Sequence, residues 1–209
     1  TIDLPESMTF TEDDSLTEDF SIYIDDIDAD DLTLTVSGNI NVTVDISGFN
    51  VTFGSLLDWN GTETITFTVD DSQGRAISTD DIDIIVTAVN DAPVLTDIDN
   101  QITPEEVVLT IAVYADDVDG DELTFSASSS SPDDVSVSVI GDELTLTPAL
   151  NFNGTVEVTV EVTDGFLTDS GTFTLTVTPV NDAPTIDLPE SMTFTEDDSL
   201  TEDFSIYID

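Results

Sequence analysis

The chain has 209 residues, of which 39% are hydrophobic, and this is enough for one or two domains with buried cores. Its 47 Asp and Glu residues face a single basic residue, Arg75, so the formal net charge is -46 and the folded chain is expected to depend on cations from the medium. The lack of Lys and His excludes the basic surfaces that bind nucleic acid or anionic membranes, and the lack of Cys excludes disulfides and thiolate chemistry.

Short runs of alternating apolar and polar residues predict β-strands along the whole chain. Thr and Val are frequent in these runs and suit a pleated, half-buried surface, while Asn-Gly and Gly-Asp pairs mark turns between the runs. About seven such strands per module predict an all-β fold of tandem Greek-key sandwiches of the immunoglobulin-like kind. In chain order, the clearest runs are 32–36, 64–69, 135–139, 144–147, 155–163 and 172–177.

The sequence repeats on two scales. Residues 1–25 recur without change at 185–209, and the linker sequence at 89–93 recurs at 180–184. Two strands cannot form a core, so the last segment is expected to be either the boundary of a longer chain or a partner for a neighbouring copy. The predicted domains are module 1 at 1–91, module 2 at 92–182, and the first two strands of a third module at 183–209.

The two modules are diverged relatives, because Trp59-Asn60-Gly61-Thr62 matches Phe152-Asn153-Gly154-Thr155. This match predicts that Trp59 lies in a core or at a strand edge. Aromatic side chains can instead stack on sugar rings, and Trp59, Tyr23 and Tyr114 are the candidates for that role. Polysaccharide binding is therefore kept as an alternative function.

Acidic residues gather in two loops, residues 25–31 and 116–122, with carboxylates at every second position. Calcium binds six to eight oxygens at about 2.3–2.6 Å, and such a loop can turn several carboxylates onto one ion. The loops lack the Gly and Glu positions of an EF-hand and are flanked by strands. Ca²⁺ is therefore the predicted cofactor, whereas other acids are expected only to face solvent, namely Asp3, Asp80, Asp83 and Asp187.

The linker Val-Asn-Asp-Ala-Pro resembles the module-linking signature of cadherins and the linkers of bacterial cadherin-like repeats in large surface adhesins. The Asp-x-Asp pairs of the two loops, and the acids after residues 69 and 162, resemble further cadherin calcium motifs. In that family calcium lies between successive modules. The resemblance implies ligands at Glu12 or Asp13, Asn90, Asp91, Asp117, Asp119 and Asp164 for one junction, at Asp26, Asp28 and Asp71 for the top of module 1, and at Glu105 or Glu106, Asn181 and Asp182 for the next junction, with Asp209 on its far side.

Two departures from the cadherin pattern reduce the expected number of ions. Cadherins place a further acidic pair before the sixth strand, where this chain has Asn60-Gly61 and Asn153-Gly154. The first linker Asp is replaced by Ala88 or Pro179. One or two ions per junction are therefore expected rather than three.

No enzymatic activity is expected. Without His, Cys or Lys the chain has no serine or cysteine triad and no Schiff-base lysine. Asp169-Ser170-Gly171 resembles the aspartic-protease triplet but is expected in a turn between two strands, and no carboxylate pair is singled out for glycoside hydrolysis.

The resemblance implies a calcium-rigidified spacer in a bacterial, secreted or surface-attached adhesin, stalk or fibre, of the kind found in cell adhesion and biofilm. Exact repetition supports this interpretation, because a spacer gains length by copying whole units. Its expected partners are neighbouring modules and identical chains in a fibre, with no membrane insertion. The alternative is an adhesive module that binds carbohydrate or itself, including fibre assembly by strand exchange.

Overall fold

The computed structural model describes residues 1–28, 30–73 and 77–207. These residues form two compact units. The first unit comprises Thr1–Pro93 with Asp116–Glu122 and Asp164–Leu167, and the second comprises Val94–Ala115, Leu123–Thr163 and the residues from Thr168 onward. The module boundaries drawn from the repeats stay a prediction.

Seven strands of the first unit form two sheets. One sheet has the order β1-β7-β6-β3 and the other the order β2-β5-β4, and β1 runs parallel to β7. The chain passes from one sheet to the other after β1, β2, β3 and β5, which is the connectivity of a Greek-key sandwich. The strands are β1 Ser7–Thr11, β2 Leu16–Asp19, β3 Thr33–Ser37, β4 Val42–Ser47, β5 Asn50–Ser55, β6 Gly61–Asp70 and β7 Ile77–Thr87.

The two sheets of the first unit share one hydrophobic core. Alternate residues of β6 and β7 are buried, as the period of a strand requires, and Ile65 lies opposite Ile82 in the register. A short 3₁₀ turn after β2 adds Phe20, which is fully buried. Its ring centroid lies 4.8 Å from that of Phe67 and 6.0 Å from that of Phe53.

The second unit repeats this plan. Its sheets have the orders β12-β15-β16-β9 and β10-β14-β13, with a short β8–β11 pair, and β9 runs parallel to β16. The all-β sandwich predicted from the sequence is thus confirmed. The strands are β8 Val94–Leu95, β9 Gln101–Pro104, β10 Leu109–Ala112, β11 Ala115–Asp116, β12 Thr124–Ser129, β13 Val135–Ile140, β14 Glu143–Pro148, β15 Gly154–Thr163 and β16 Thr168–Thr178.

In each unit, an aspartate of the last strand accepts a hydrogen bond from the chain near the start of that unit. Asp80 Oδ2 accepts a hydrogen bond of 2.6 Å from Leu4 N, and Asp169 Oδ2 accepts one of 2.8 Å from Leu95 N. The expectation that Asp80 only faces solvent was therefore wrong. The placement of Asp169 in a turn was also wrong, because β16 begins at Thr168 and its alternating pattern extends to Asp169.

The last segment has the sequence of residues 1–25 but a different environment. Phe20 is 0% exposed, whereas its copy Phe204 is 47% exposed. In the described part of this segment no strand forms, although Asp187 N donates to Tyr207 O at 2.9 Å as Asp3 N does to Tyr23 O at 3.0 Å. The difference arises because residues 7–11 and 16–19 pair with β7 and β5, and 185–207 have no such partner strands.

Helices contribute little to the described residues. They comprise two four-residue 3₁₀ turns, Phe20–Tyr23 and Phe204–Tyr207. No helix within residues 1–28, 30–73 and 77–207 has the length and apolar character needed to cross a membrane.

One carboxylate of β6, that of Glu63, is hydrogen-bonded to the chain leading into β4. Glu63 Oε1 accepts from Ile40 N, and Oε2 accepts from Asn41 N at 2.7 Å and from Val42 N at 3.2 Å. Burial raises the pKa of Glu63, but the three backbone donors together with the side chain of Asn41 lower it by more, and the net shift is downward from 4.5. The charged form is therefore favoured by folding.

Glu63→Gln is expected to lower the free energy of unfolding of the first unit by about 1–3 kcal/mol at neutral pH, because charged acceptors form the stronger hydrogen bonds. A lowered folded-state pKa gives stability above the unfolded value that is lost as pH falls through the folded value. The difference in the free energy of unfolding between wild type and variant, measured by urea titration, should therefore disappear below about pH 4. Asp45→Asn, at an exposed position of β4 in the same unit, serves as the control, and an equal loss there would contradict this role.

Candidate metal centre

Glu12 lies directly after β1 and is buried, with 1% of its surface exposed. Its backbone N donates to Thr87 O at 3.0 Å, and its Oε1 accepts from Val89 N at 2.7 Å, so both ends of the residue contact the chain that leaves β7. Its second carboxylate oxygen, Oε2, is buried and has no hydrogen-bond partner. A buried charged oxygen without a donor is costly, and a bound cation would remove that cost.

Asp91 lies in the linker after β7, and its Oδ2 is likewise buried without a partner. Burial raises the pKa of Asp91, and nearby carboxylates raise it further, in the order Asp58, Asp13, Asp119 and Glu12. The four residues come from two different turns and the 116–122 loop. Like charges so arranged repel one another unless a cation lies among them.

The 116–122 loop is folded around Asp117. Its Oδ1 accepts from Asp119 N at 2.9 Å and from Gly120 N at 3.1 Å, while its Oδ2 is the third buried oxygen without a partner. One carboxylate oxygen from each of Asp117, Asp119 and Asp121 lies within 4.8 Å of the others. Asp119 Oδ2 also accepts from Asp91 N at 2.8 Å, which joins this loop to the linker.

Asp164 is hydrogen-bonded to the same linker, but its pKa is lowered, whereas that of Asp91 is raised. Its Oδ2 accepts from Asn90 Nδ2 at 2.8 Å, and its Oδ1 accepts from Phe166 N at 2.6 Å and Leu167 N at 2.7 Å. The Asn90 hydrogen bond, followed by those from Leu167 and Phe166, lowers the pKa of Asp164. Asp164 is thus a charged acceptor whose position is fixed by its own turn and by the linker.

We name these residues the first cluster: Glu12, Asp13, Asp58, Asn90, Asp91, Asp117, Asp119, Asp121 and Asp164. All of them belong to the first compact unit, which includes Asp116–Glu122 and Asp164–Leu167. The described residues contain no Lys, Arg or His, so no side chain in them can neutralise this charge. Carboxylate oxygens in such number are the ligands of a hard cation, and the residues present therefore fit Ca²⁺.

A second cluster occupies the other end of the first sandwich and comprises Asp26, Asp28, Asp30 and Asp71. Asp26 Oδ2 accepts from Asp30 N at 2.8 Å, and Asp71 Oδ1 accepts from Gln73 N at 2.9 Å. Burial, then Asp26, Asp28, Asp71 and Asp31, raise the pKa of Asp30. The predicted acids Asp26, Asp28 and Asp71 therefore do lie near one another.

A third cluster lies in the second unit and comprises Glu105, Glu106, Asn151 and Asp182. Glu105 is 4% exposed, its N donates to Thr178 O at 2.9 Å, and its Oε1 accepts from Val180 N, as Glu12 does in the first unit. The side-chain amide of Asn151 lies 3.3 Å from Glu106 Oε1 and 3.3 Å from Asp182 Oδ2. Asn181 Nδ2 instead donates to Asp182 O at 3.0 Å, and Asp209 lies outside the described residues.

Two residues of these clusters, Asp58 and Asn151, were missed in the sequence, whereas Asp30 and Asp121 were predicted as part of the two acidic loops but not as individual ligands. Asp58 and Asn151 precede the matched aromatics Trp59 and Phe152 and share a left-handed backbone, with φ of 54° and 57°. The cadherin pattern has its acidic pair where this chain has Asn60-Gly61. Asp58, two residues earlier, instead supplies a carboxylate near Asp91.

The side chain of Trp59 packs against the turn before β6 and does not form an open platform on the surface. A Cβ at Gly61, whose φ is 145°, would lie 3.1 Å from Trp59 Cζ2, so the indole packs closely on this glycine. Phe152 packs on Gly154 in the same manner, at 3.3 Å. The side chains of Trp59 and Tyr23 also contact the hydrophobic core of the first unit.

Comparison with known proteins gives a family match for part of the chain and a shared fold. Residues 90–178 match the family described as bacterial Ig domain. Human protocadherin-24 EC1-2 has a TM-score of 0.51 and 18% identity, covering 85% of this chain and 95% of that chain. Chicken VE-cadherin EC1-2 has a TM-score of 0.41 and 15% identity, covering 84% of this chain and 98% of that chain.

An endo-fucoidan hydrolase of glycoside hydrolase family 107 has a TM-score of 0.38 and 20% identity over 85% of this chain, which spans 28% of the hydrolase chain. None of the curated proteins matches the sequence. The prediction of a bacterial cadherin-like, immunoglobulin-like repeat is confirmed by the family match over residues 90–178 and by the fold shared with protocadherin-24.

Proposed function

We propose that this chain is a calcium-rigidified repeat segment of a bacterial extracellular adhesin, stalk or fibre, and that it acts as a structural spacer. The observation that carries the proposal is the set of three buried carboxylate oxygens without a donor, Glu12 Oε2, Asp91 Oδ2 and Asp117 Oδ2. They occur in a chain whose 47 acids face one basic residue. A site of this kind is completed by a cation from the medium.

Calcium in the first cluster would connect three parts of the chain that are far apart in sequence. Glu12 lies at the end of β1, Asp91 in the linker, and Asp117 in the loop before β12. Near a protein surface, two like charges 4 Å apart repel by about 4 kcal/mol, so the connection is weak without the ion and strong with it. Linker and loop would then lose their freedom to move apart.

The spacer role is supported by the repeat and by the composition. Residues 1–25 recur unchanged at 185–209, which fits a chain that gains reach by copying units. The fold is typical of non-enzymatic modules, and the chain lacks the His, Cys and Lys of common catalytic sites. We therefore propose no catalytic role, and a location outside the cell or on its surface.

Removal of calcium is expected to lower the melting temperature by about 10–20 °C, the effect of losing a ligand present at a hundredfold excess over its Kd. Small-angle scattering should show a broader range of shapes after chelation and a return when calcium is added back. Magnesium at equal ionic strength is the control, because it prefers fewer ligands and retains its waters. Equal effects of the two ions, or none, would contradict the proposal.

The rival function, assembly by strand exchange, has one observation in its favour. Residues 185–207 expose apolar side chains that residues 1–25 bury, among them Ile186, 60% exposed against 7% for Ile2. The scattering experiment also measures mass. A stable dimer at micromolar concentration would favour strand exchange, and a monomer would favour the spacer alone.

A further inference from the structure

This inference rests on the proposed function and concerns the difference between the first and third clusters. The two clusters occupy equivalent places, since Asp13 and Glu106 both have a φ of 63° and both follow a buried Glu. Four positions keep the same kind of ligand: Glu12 and Glu105, Asp13 and Glu106, Asn90 and Asn181, Asp91 and Asp182. The fifth position differs in charge, because Asp58 in the first cluster corresponds to Asn151 in the third.

The side chains of Asp58 and Asn151 occupy equivalent positions but differ in charge and in hydrogen bonding. Asp58 is half-buried and adds a negative charge near Asp91, whose Oδ2 has no donor. The neutral amide of Asn151 lies 3.3 Å from both Glu106 Oε1 and Asp182 Oδ2, and with its NH₂ turned toward them it donates to both. The third cluster therefore has a neutral amide beside two of its carboxylates, where the first cluster has a further carboxylate.

A second charge difference does not offset the first. Asp70 ends β6 where Thr163 ends β15, but it lies at the other end of the first sandwich from the first cluster, and its Oδ1 accepts a hydrogen bond of 2.8 Å from Ser72 N within its own turn. The buried, unpartnered Oε2 of Glu12, a residue 1% exposed, is found in the first cluster. The charge facing a bound ion is thus larger at the first cluster.

We infer that the two module types carry unequal calcium sites, and that Asp58 makes the first cluster the tighter one and Asn151 the third cluster the weaker one. Charge count among the ligands is a main determinant of calcium affinity. In a chain that alternates the two modules, every second junction would be filled first as calcium rises. At intermediate calcium, such a chain would consist of pairs of modules whose shared junction is filled, connected by junctions that are still without calcium.

The test measures calcium binding to the whole chain by calorimetry and by the fluorescence of Trp59, the single Trp, which adjoins Asp58. Asp58→Asn is expected to raise the calcium midpoint of the Trp59 signal about tenfold, by loss of one charged ligand. Asp45→Asn is the matched control, since it removes the same charge from an exposed position of β4. The control should leave the midpoint unchanged.

Calcium binding to the third cluster is measured in the double variant Trp59→Phe, Phe152→Trp, whose single Trp adjoins Asn151 and reports by its fluorescence. Adding Asn151→Asp to this chain should lower its calcium midpoint about tenfold. An unchanged midpoint on adding Asn151→Asp, or equal shifts for Asp58→Asn and Asp45→Asn, would overturn the inference while calcium binding persists. Absence of any calorimetric binding by the wild type would instead overturn the proposed function.

Discussion

Glu12→Gln is expected to stabilise the first unit in chelator and to destabilise it in calcium. Without the ion, the buried Oε2 of Glu12 is a charge without a donor beside other carboxylates, so a neutral amide relieves repulsion. The remaining carbonyl oxygen of Gln can still accept the 2.7 Å hydrogen bond from Val89 N. We expect a gain of about 1 kcal/mol, as for an unpaired buried polar group that is satisfied.

With calcium bound, the same change removes a charged ligand. If the affinity falls about a hundredfold, the variant loses about 2.7 kcal/mol of ligand-linked stability at a calcium concentration well above the Kd. Urea unfolding followed by Trp59 fluorescence reports on this unit, because Trp59 packs against its core. Opposite signs in the two buffers distinguish a ligand from a residue that only supports the fold.

The repeat supplies a matched control for this experiment. Glu196 has the same neighbours in sequence as Glu12 but lies exposed in the last segment. Glu196→Gln should change the free energy of unfolding by less than about 0.5 kcal/mol in either buffer, as for surface substitutions generally. Destabilisation by Glu12→Gln in both buffers would show that the charged carboxylate supports the fold itself and is not a calcium ligand.

The fold could be predicted from the sequence because its signals are local. Alternation of Val and Thr at 155–163 fixes both the strand and its buried face, and β15 spans Gly154–Thr163 with alternate Val buried. Asp169 shows where this fails. A polar triplet next to a turn gives no local sign that its first residue extends the strand and accepts from Leu95 N.

The site could be predicted only where the acids form short motifs. Asp117 and Asp119 share one loop, so their spacing alone indicates a cation site. Asp58 belongs to no such motif, because the carboxylate on which it acts, that of Asp91, is distant in the sequence. Asp58 has a left-handed backbone and precedes Trp59, whose ring packs on Gly61 and on the core, and the core contact is a tertiary feature that the sequence does not display.

Phe20→Ala is expected to lower the free energy of unfolding of the first unit by about 3–5 kcal/mol, the range for loss of a buried Phe. The ring is 0% exposed and lies 4.8 Å from Phe67, 5.8 Å from Tyr23 and 6.0 Å from Phe53, so its removal leaves a cavity among aromatic side chains. A domain of this size has about 5–15 kcal/mol in total, so the loss is a large fraction of its stability. Urea unfolding by Trp59 fluorescence measures it.

Phe204→Ala is the matched control, because Phe204 has the same sequence neighbours and is 47% exposed. Its effect on the Trp59 transition should stay below about 0.5 kcal/mol. The second unit has its own core, built around residues such as Leu144 and Val158, and its unfolding followed by circular dichroism should not change in either variant. If the two substitutions destabilised the first unit equally, residues 185–209 would have to share the place of residues 1–25 in the sandwich, and strand exchange between copies would then be the better description of this chain.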